Sequence, residues 1–189
     1  MPQSRRYKKK KSAGKAILAW IIVLAILAAG VFVFVSVFYE DAKKKLDEMN
    51  YPRTYSTYVE KAAKDYDLDP ALIYAVIHTE SGFDPKAESG VGAKGVMQMM
   101  PSSFEWLQEQ RGCAGQYTED DLFDPEICID YGSYLLKYFY DYYGTERSAI
   151  AAYNAGFVVS DWLNDTNYSS DGKNLDSIPY PETENYVDK

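Results

Sequence analysis

The first apolar run of the chain, Ala16 to Tyr39, contains no charged residue. As a helix at ~1.5 Å per residue it is about 36 Å long, enough to cross a hydrocarbon core of roughly 30 Å. Beyond it the apolar positions fall at the three- and four-residue spacings of helices with one buried face. Residues 40–50 are charged and helix-prone, and Tyr51-Pro52 breaks them. Thr57 with Glu60 reads as a capping box that opens a helix to about Tyr66. Asp69-Pro70 opens the next helix, which Gly82 and Asp84-Pro85 end. Gly90, Gly92 and Gly95 mark an irregular segment, with Val96 to Met99 as a short extended piece before Pro101 starts another helix. Pro125 to Tyr143 predicts the longest helix after the apolar run, with Ile127, Ile129, Leu135 and Leu136 facing the core. Thr145 caps a helix to Asn154, Gly156 terminates it, 164–179 is a polar loop, and Pro181 begins a last short helix. The pattern predicts a basic tail (1–15), a membrane helix (16–39), a juxtamembrane stalk (40–53) and a mostly helical domain (54–189).

One residue breaks the pattern. Leu72, Ile73, Val76 and Ile77 share a helical face with Glu80, so a carboxylate sits where that face calls for an apolar side chain. It also lies near the negative end of its helix. Desolvation and the dipole both disfavour the ionised form, so the spacing predicts a raised pKa and a proton retained near neutral pH. That is the requirement for a general acid. The competing reading is a helix-end Glu that has reached solvent.

Charge separates the chain into two regions. Residues 1–15 carry seven basic side chains and no acidic one. Placed directly before the apolar run, they predict a cytoplasmic N-terminus and an exported C-terminal domain. Ala28-Ala29-Gly30 offers a signal-cleavage alternative, but Val31 to Phe38 extends the run further than a signal needs. Without those seven positives, 13 basic residues face 28 acidic ones, or −15. A domain that acidic lacks the phosphate-neutralising surface that nucleic acid requires. The 18 tyrosines suit sugar stacking, although Tyr138, Tyr140, Tyr142 and Tyr143 read as amphipathic packing. Cys113 and Cys128 either pair, closing a short loop worth about 3 kcal/mol, or are two buried thiols. With one His and no Cys/His grouping, a zinc site is disfavoured. His78, two residues from Glu80, points off the acid's face. No strand-turn Ser motif supports a Ser-His-Asp hydrolase.

The neighbourhood of Glu80 is more specific. Glu80-Ser81-Gly82-Phe83-Asp84-Pro85 is followed by Ser89, Gly92-Ala93 and Gly95-Val96-Met97-Gln98-Met99-Met100-Pro101. Later come Ala151-Ala152-Tyr153-Asn154-Ala155-Gly156 and Pro181-Glu182-Thr183-Glu184-Asn185-Tyr186-Val187. This order resembles the lytic transglycosylases of the soluble-lytic (SLT) type, relatives of goose-type lysozyme, over roughly Tyr58 to Val187. The resemblance implies a mainly α, lysozyme-like (α+β) fold and a peptidoglycan glycan strand as substrate. It implies that Glu80 is the single catalytic acid and that Ser89, Gln98, Met100, Tyr153, Asn154 and Glu182 line the sugar site. It implies no cofactor and no metal. Of Met97, Met99 and Met100, at least two read as core packing.

Four positions depart from the family pattern. Val96 replaces a Leu, Cys128 an Asn, Leu135 a common aromatic, and Glu184 an Arg. The implied reaction is cleavage between N-acetylmuramic acid and N-acetylglucosamine without water, leaving 1,6-anhydro ends. Hydrolysis on the same scaffold, or an inactive wall-binding protein, are the alternatives. An anchored enzyme of this kind fits bulk wall turnover or local wall opening for a secretion, conjugation or wall-assembly complex.

Overall fold

The computed structural model describes residues 11–50 and 53–189. The first ten residues of the predicted basic tail and the Tyr51-Pro52 break lie outside the described residues. The chain divides into two units, Met1–Pro52 and Arg53–Lys189. In the first, α1 (Lys11–Asn50) is a single helix. Its apolar stretch, Ala16–Ala42, is 27 residues long, about 40 Å at helical rise. Large apolar side chains from Ile17 to Tyr39 are exposed along it. Such a helix has the length and composition to cross a membrane, as an anchor or as a signal.

The second unit is helical. It contains α2 (Ser56–Tyr66), α3 (Pro70–Ser81), α4 (Pro101–Gln110), α5 (Pro125–Tyr143), α6 (Glu146–Ala155), α7 (Val159–Asn164) and α8 (Pro181–Val187). The 19-residue α5 is the hub, packing most extensively against α6 and α2. Its Ile129, Leu135 and Leu136 are buried with Val59 of α2, Ile73 and Ile77 of α3, and Leu107 of α4. Ile127 packs against this core from a partly buried position.

Several helix ends form as their sequence dictates. Asp69 accepts the Ala71 N–H at 2.8 Å, Asp124 accepts that of Glu126 at 2.9 Å, and Thr145 accepts that of Ser148 at 3.3 Å. Each removes an orphan amide of a first turn. The Thr57 capping box does not form. The N-cap of α2 is Tyr55, at φ 64°, with no side-chain cap, and Thr57 lies inside the helix.

The segment between α3 and α4 also differs from expectation. Val96 to Met99 is not extended. Isolated antiparallel bridges, Glu88 to Lys94 and Lys94 to Met99, fold the chain back on itself, and 95–98 forms the tight turn between them. Gln98 sits at φ 46° and Gly95 at φ 75°. A Cβ on Gly95 would stand 2.0 Å from the Leu122 carbonyl oxygen, so only glycine fits there. These bridges are the β component of the fold among the described residues.

Three short elements escape the periodicity reading, the 3-10 turns Glu119–Phe123 and Gly156–Val158 and α7. All are too brief to show a repeat. The polar segment after α7 is irregular, as its composition predicts, yet it is held down. Leu175 and Ile178 are buried, and Arg147 Nε donates to the Leu175 carbonyl at 3.2 Å.

Candidate active site

α3 delivers Glu80 to the site. Ile73, Val76 and Ile77 anchor the inner face of the helix, at 0, 3 and 0 % exposure. Gly82 closes it at φ 59°, its N–H returning to the His78 carbonyl. Ser81 Oγ then donates to the Val96 carbonyl at 2.8 Å, pinning the end of α3 to the 95–98 turn. Glu80 is left half-buried on its apolar face, and His78 is exposed.

The hydrogen bond that defines the site comes from the far end of the chain. Tyr186 on α8 donates its hydroxyl to Glu80 Oε1 at 2.7 Å. Burial pushes the Glu80 carboxyl up to about 7, and the Tyr186 hydrogen bond, which favours the carboxylate, offsets this only in part. Among the described residues neither a cation nor a second carboxylate contributes to that balance. Burial, then the charge of Glu80 and the hydrogen bond to it, holds the Tyr186 phenol well above its ordinary range. It is a hydrogen-bond donor, not a base.

Tyr153 and Cys128 both hold the 95–98 turn, one through the Met97 carbonyl and the other through the Met97 N–H. The Tyr153 hydroxyl donates to the Met97 carbonyl at 2.9 Å. Burial first, then the nearby charge of Glu80, raises its phenol. Cys128 Sγ accepts the Met97 N–H at 3.4 Å and lies 3.8 Å from the Lys94 carbonyl. Burial pushes this thiol up to about 12, so it stays protonated. At this position a thiol thus makes a polar contact to the 95–98 turn. Gly132 makes the close approach possible, since a Cβ there would meet Met97 Sδ at 2.5 Å. Cys113 is elsewhere, with Sγ 3.3 Å from the Tyr131 hydroxyl, and both cysteines are free thiols. The pairing alternative does not occur.

The other sequence-predicted residues have these positions. Gln98 donates its amide to the Ala87 and Gly95 carbonyls, at 3.1 and 3.0 Å, tying two limbs of the loop together. Ser89 Oγ accepts the Ala93 N–H at 2.9 Å. Met100 is 38 % exposed at the N-cap of α4, while Met97 and Met99 are buried. Asn154 Oδ1 accepts from Thr183 Oγ1 at 2.7 Å, which docks α8 onto the end of α6. Glu182 and Glu184 are exposed on α8. Hydrogen bonds thus bring together Glu80, Tyr153, the 95–98 turn and α8, while Glu182 forms no bond to them.

Tyr186 is the residue that sequence reasoning missed. Its signal is the i, i+3 pair with Thr183, one buried and one half-buried, which faces α8 inward. Among the described residues no group of three His, Cys, Asp or Glu side chains is placed to hold a metal.

The architecture and motifs have counterparts among known proteins. Residues 57–175 match the family model for the transglycosylase SLT domain. The soluble lytic murein transglycosylase of Escherichia coli is 32% identical over 143 residues, 74% of this chain and 22% of the relative. The membrane-bound lytic murein transglycosylase C of Actinobacillus succinogenes is 35% identical over 113 residues, 55% of this chain and 32% of the relative. The crystal structure of an inactive Glu→Gln mutant of the lytic transglycosylase Slt from Pseudomonas aeruginosa superposes with a TM-score of 0.64. It is 30% identical and covers 75% of this chain and 23% of that one. The chain thus spans a fifth to a third of the length of these relatives. With a family model matched over most of the helical unit and the same fold in a solved structure, the chain belongs to the transglycosylase SLT domain family.

Proposed function

We propose that this chain is a lytic murein transglycosylase and that Glu80 is its single acid and base. The observation that carries the reading is the isolation of Glu80. It is buried enough to hold its proton to about pH 7, and no second carboxylate acts on it among the described residues. Glycosidases of the two-carboxylate kind need a partner for nucleophilic or base catalysis. A lone acid fits a substrate that supplies its own nucleophile.

The chemistry runs as follows. Tyr186 occupies Oε1, which leaves Oε2 to carry the proton. Glu80 protonates the oxygen linking N-acetylmuramic acid to N-acetylglucosamine, and the C1–O bond breaks. The neighbouring acetamido oxygen stabilises the positive charge at C1. The Glu80 carboxylate then takes the proton of the C6 hydroxyl, and O6 closes onto C1 to form the 1,6-anhydro ring. One proton is given and one is recovered, and no water is consumed. A pKa near ambient pH suits both steps.

Ser89, Gln98, Met100, Tyr153, Asn154 and Glu182 line the sugar site in this reading. The Gln98 amide is already committed to the loop, so its carbonyl oxygen is the group left to accept from an acetamido N–H. The Tyr153 hydroxyl serves the Met97 carbonyl, and its ring acts as a wall beside the acid.

The reading extends to location. Residues 16–39 anchor the protein as a single-pass helix, with the basic 1–15 tail cytoplasmic, 40–53 as stalk and 54–189 as the extracellular catalytic domain. The membrane-bound name of the Actinobacillus relative supports an anchor. The anchor confines cleavage to wall near the bilayer, which suits local opening for a secretion, conjugation or wall-assembly complex.

Mass spectrometry of products from purified peptidoglycan tests the reaction, wild type beside Glu80→Gln. Ends lighter by one water, absent with the variant, support it. Reducing ends identify a hydrolase instead, and equal release by both proteins rejects Glu80 as the acid. The intact mass of protein extracted from membranes tests the anchor, because signal cleavage would remove about the first thirty residues.

A further inference from the structure

A second aromatic surface lies along the same two chain segments that meet at the acid. One segment runs from the 95–98 turn through Met100 into α4. The other runs from Tyr153 and Asn154 through Gly156 to Phe157. They are joined first at the site, where the Tyr153 hydroxyl donates to the Met97 carbonyl at 2.9 Å. They are joined again where Trp106 of α4 meets Phe157, edge to face, with ring centroids 6.4 Å apart. Trp106 is five residues along α4 from Pro101, about 8 Å at helical rise, a distance comparable with a sugar unit or two.

Phe157 is 49 % exposed although it stands among rings. Phe139, Tyr142 and Tyr138 lie 5.4, 5.9 and 6.3 Å from it. Trp106 packs against Tyr138 at 5.0 Å, and Tyr142, itself 58 % exposed, stacks on Tyr138 at 6.2 Å. Scattered apolar residues are ordinary on a surface, but here exposed Phe157 and Tyr142 adjoin half-buried Trp106 and Tyr138 over buried Phe139, and a contiguous ring patch is a binding feature. The buttressing holds Phe157 in one orientation, so little side-chain freedom is lost when a ligand covers it. Among the described residues no Lys or Arg makes a ring contact to this cluster, which suits a neutral occupant better than an anionic one.

We propose that Trp106 and Phe157 form a stacking platform for a sugar of the glycan strand beyond the pair being cleaved. This deepens the transglycosylase reading and rests on it. The substrate is a polymer longer than the reacting pair, and the platform is built on the same two chain segments that meet at the site. A flat apolar ring offers the face of a hexose the contact it needs, without charge. The platform sets how strongly the enzyme prefers long strands over short ones.

The test uses the full chain in detergent micelles with peptide-free glycan strands of two lengths, tetrasaccharide and octasaccharide. Wild type, Phe157→Ala and Phe157→Trp are compared. The expected result is a KM on the octasaccharide raised about tenfold by Phe157→Ala, equal to 1.4 kcal/mol of binding, with kcat changed less than about twofold. The tetrasaccharide KM rises far less, and Phe157→Trp restores the length preference. An equal loss on both lengths, no loss on either, or a fall in kcat alone would overturn the platform. So would a change in oligomeric state on sedimentation with Phe157→Ala, which would make the patch a contact between copies. Wild type that cleaves neither strand would sink the transglycosylase reading itself, a result distinct from failure of the platform.

Discussion

Glu80 and Asp130 are both half-buried carboxyl groups on helices of one domain, and their surroundings give them opposite tasks. Asp130 on α5 receives a Tyr66 hydroxyl at 2.5 Å and an Arg111 guanidinium nitrogen at 2.6 Å. Arg111 also donates to the Tyr66 oxygen and lies over the rings of Tyr131 and Tyr134, at 4.2 and 4.3 Å. Burial works against the Arg111 charge, but Asp130 outweighs it and holds the guanidinium above its ordinary value. Glu80 has one phenol at 2.7 Å and no cation. Burial with a partner of opposite charge makes a brace that links α2, α5 and the end of α4. Burial without one makes a group that keeps and yields a proton.

The largest expected effect comes from removing the exchangeable proton. Glu80→Gln should lower glycan cleavage by about 10³-fold, the middle of the range for a positioned acid, while the circular dichroism spectrum stays that of wild type. Substituting the brace should do the reverse. Arg111→Ala leaves Asp130 half-buried and uncompensated, so denaturant unfolding should show a loss of about 3 kcal/mol, with the rate per folded molecule retained. A variant that lost activity while keeping full stability would show that the two regions are not separate.

The pH dependence of stability sharpens the contrast. Burial raises the folded-state pKa of Glu80 to about 7, above its unfolded value. The folded protein therefore binds a proton that the unfolded chain releases between about pH 4.5 and 7. The stability this contributes is fully present below the unfolded pKa and lost as pH rises through 7. Measured against Glu80→Gln from pH 4 to 9, wild type should lose about 3 kcal/mol in relative unfolding free energy. Cleavage should fall on the same alkaline limb, because the acid form is then depleted.

Tyr186→Phe is a finer probe. The phenol favours the carboxylate, so its removal should move the alkaline limb of kcat/KM upward by about one pH unit, as expected for a hydrogen bond to a charged group worth about 1.5 kcal/mol. A downward shift would show that Tyr186 stabilises the protonated form instead. The smallest effect is expected at the 95–98 turn. Cys128→Ala should cost about 1 kcal/mol of stability by leaving the Met97 N–H unpaired, and Cys128→Asn should recover most of it if the side chain fits the same space. An Asn variant weaker than Ala would show that volume, not the hydrogen bond, governs this position.

Local features of the fold were legible where the physics is local. The Asp69 and Thr145 caps and the Gly82 and Gly156 terminators act within one turn of themselves, and each forms as read. The apolar stripe of α3 likewise buries Ile73, Val76 and Ile77 around Glu80. The errors have the same origin. Thr57 and Glu60 have capping-box chemistry, but Tyr55 at φ 64° starts α2 two residues earlier. The 95–98 turn looks extended from its apolar residues alone. It is folded by Lys94 pairing with Glu88 on one side and Met99 on the other.

The amino-acid order by itself determined an apolar helix followed by a mostly helical domain, with one carboxyl on an apolar helical face. Only the tertiary structure decided what that carboxyl meets. Tyr186 reaches it across 106 positions, the Met97 carbonyl accepts from Tyr153 across 56 and the Met97 N–H donates to Cys128 across 31, and Arg111 rather than any neighbour of Glu80 pairs with Asp130. Periodicity encodes which face of a helix turns inward, because side-chain direction follows from 3.6 residues per turn. Which group waits on the other side depends on how distant segments pack, and no local spacing records that.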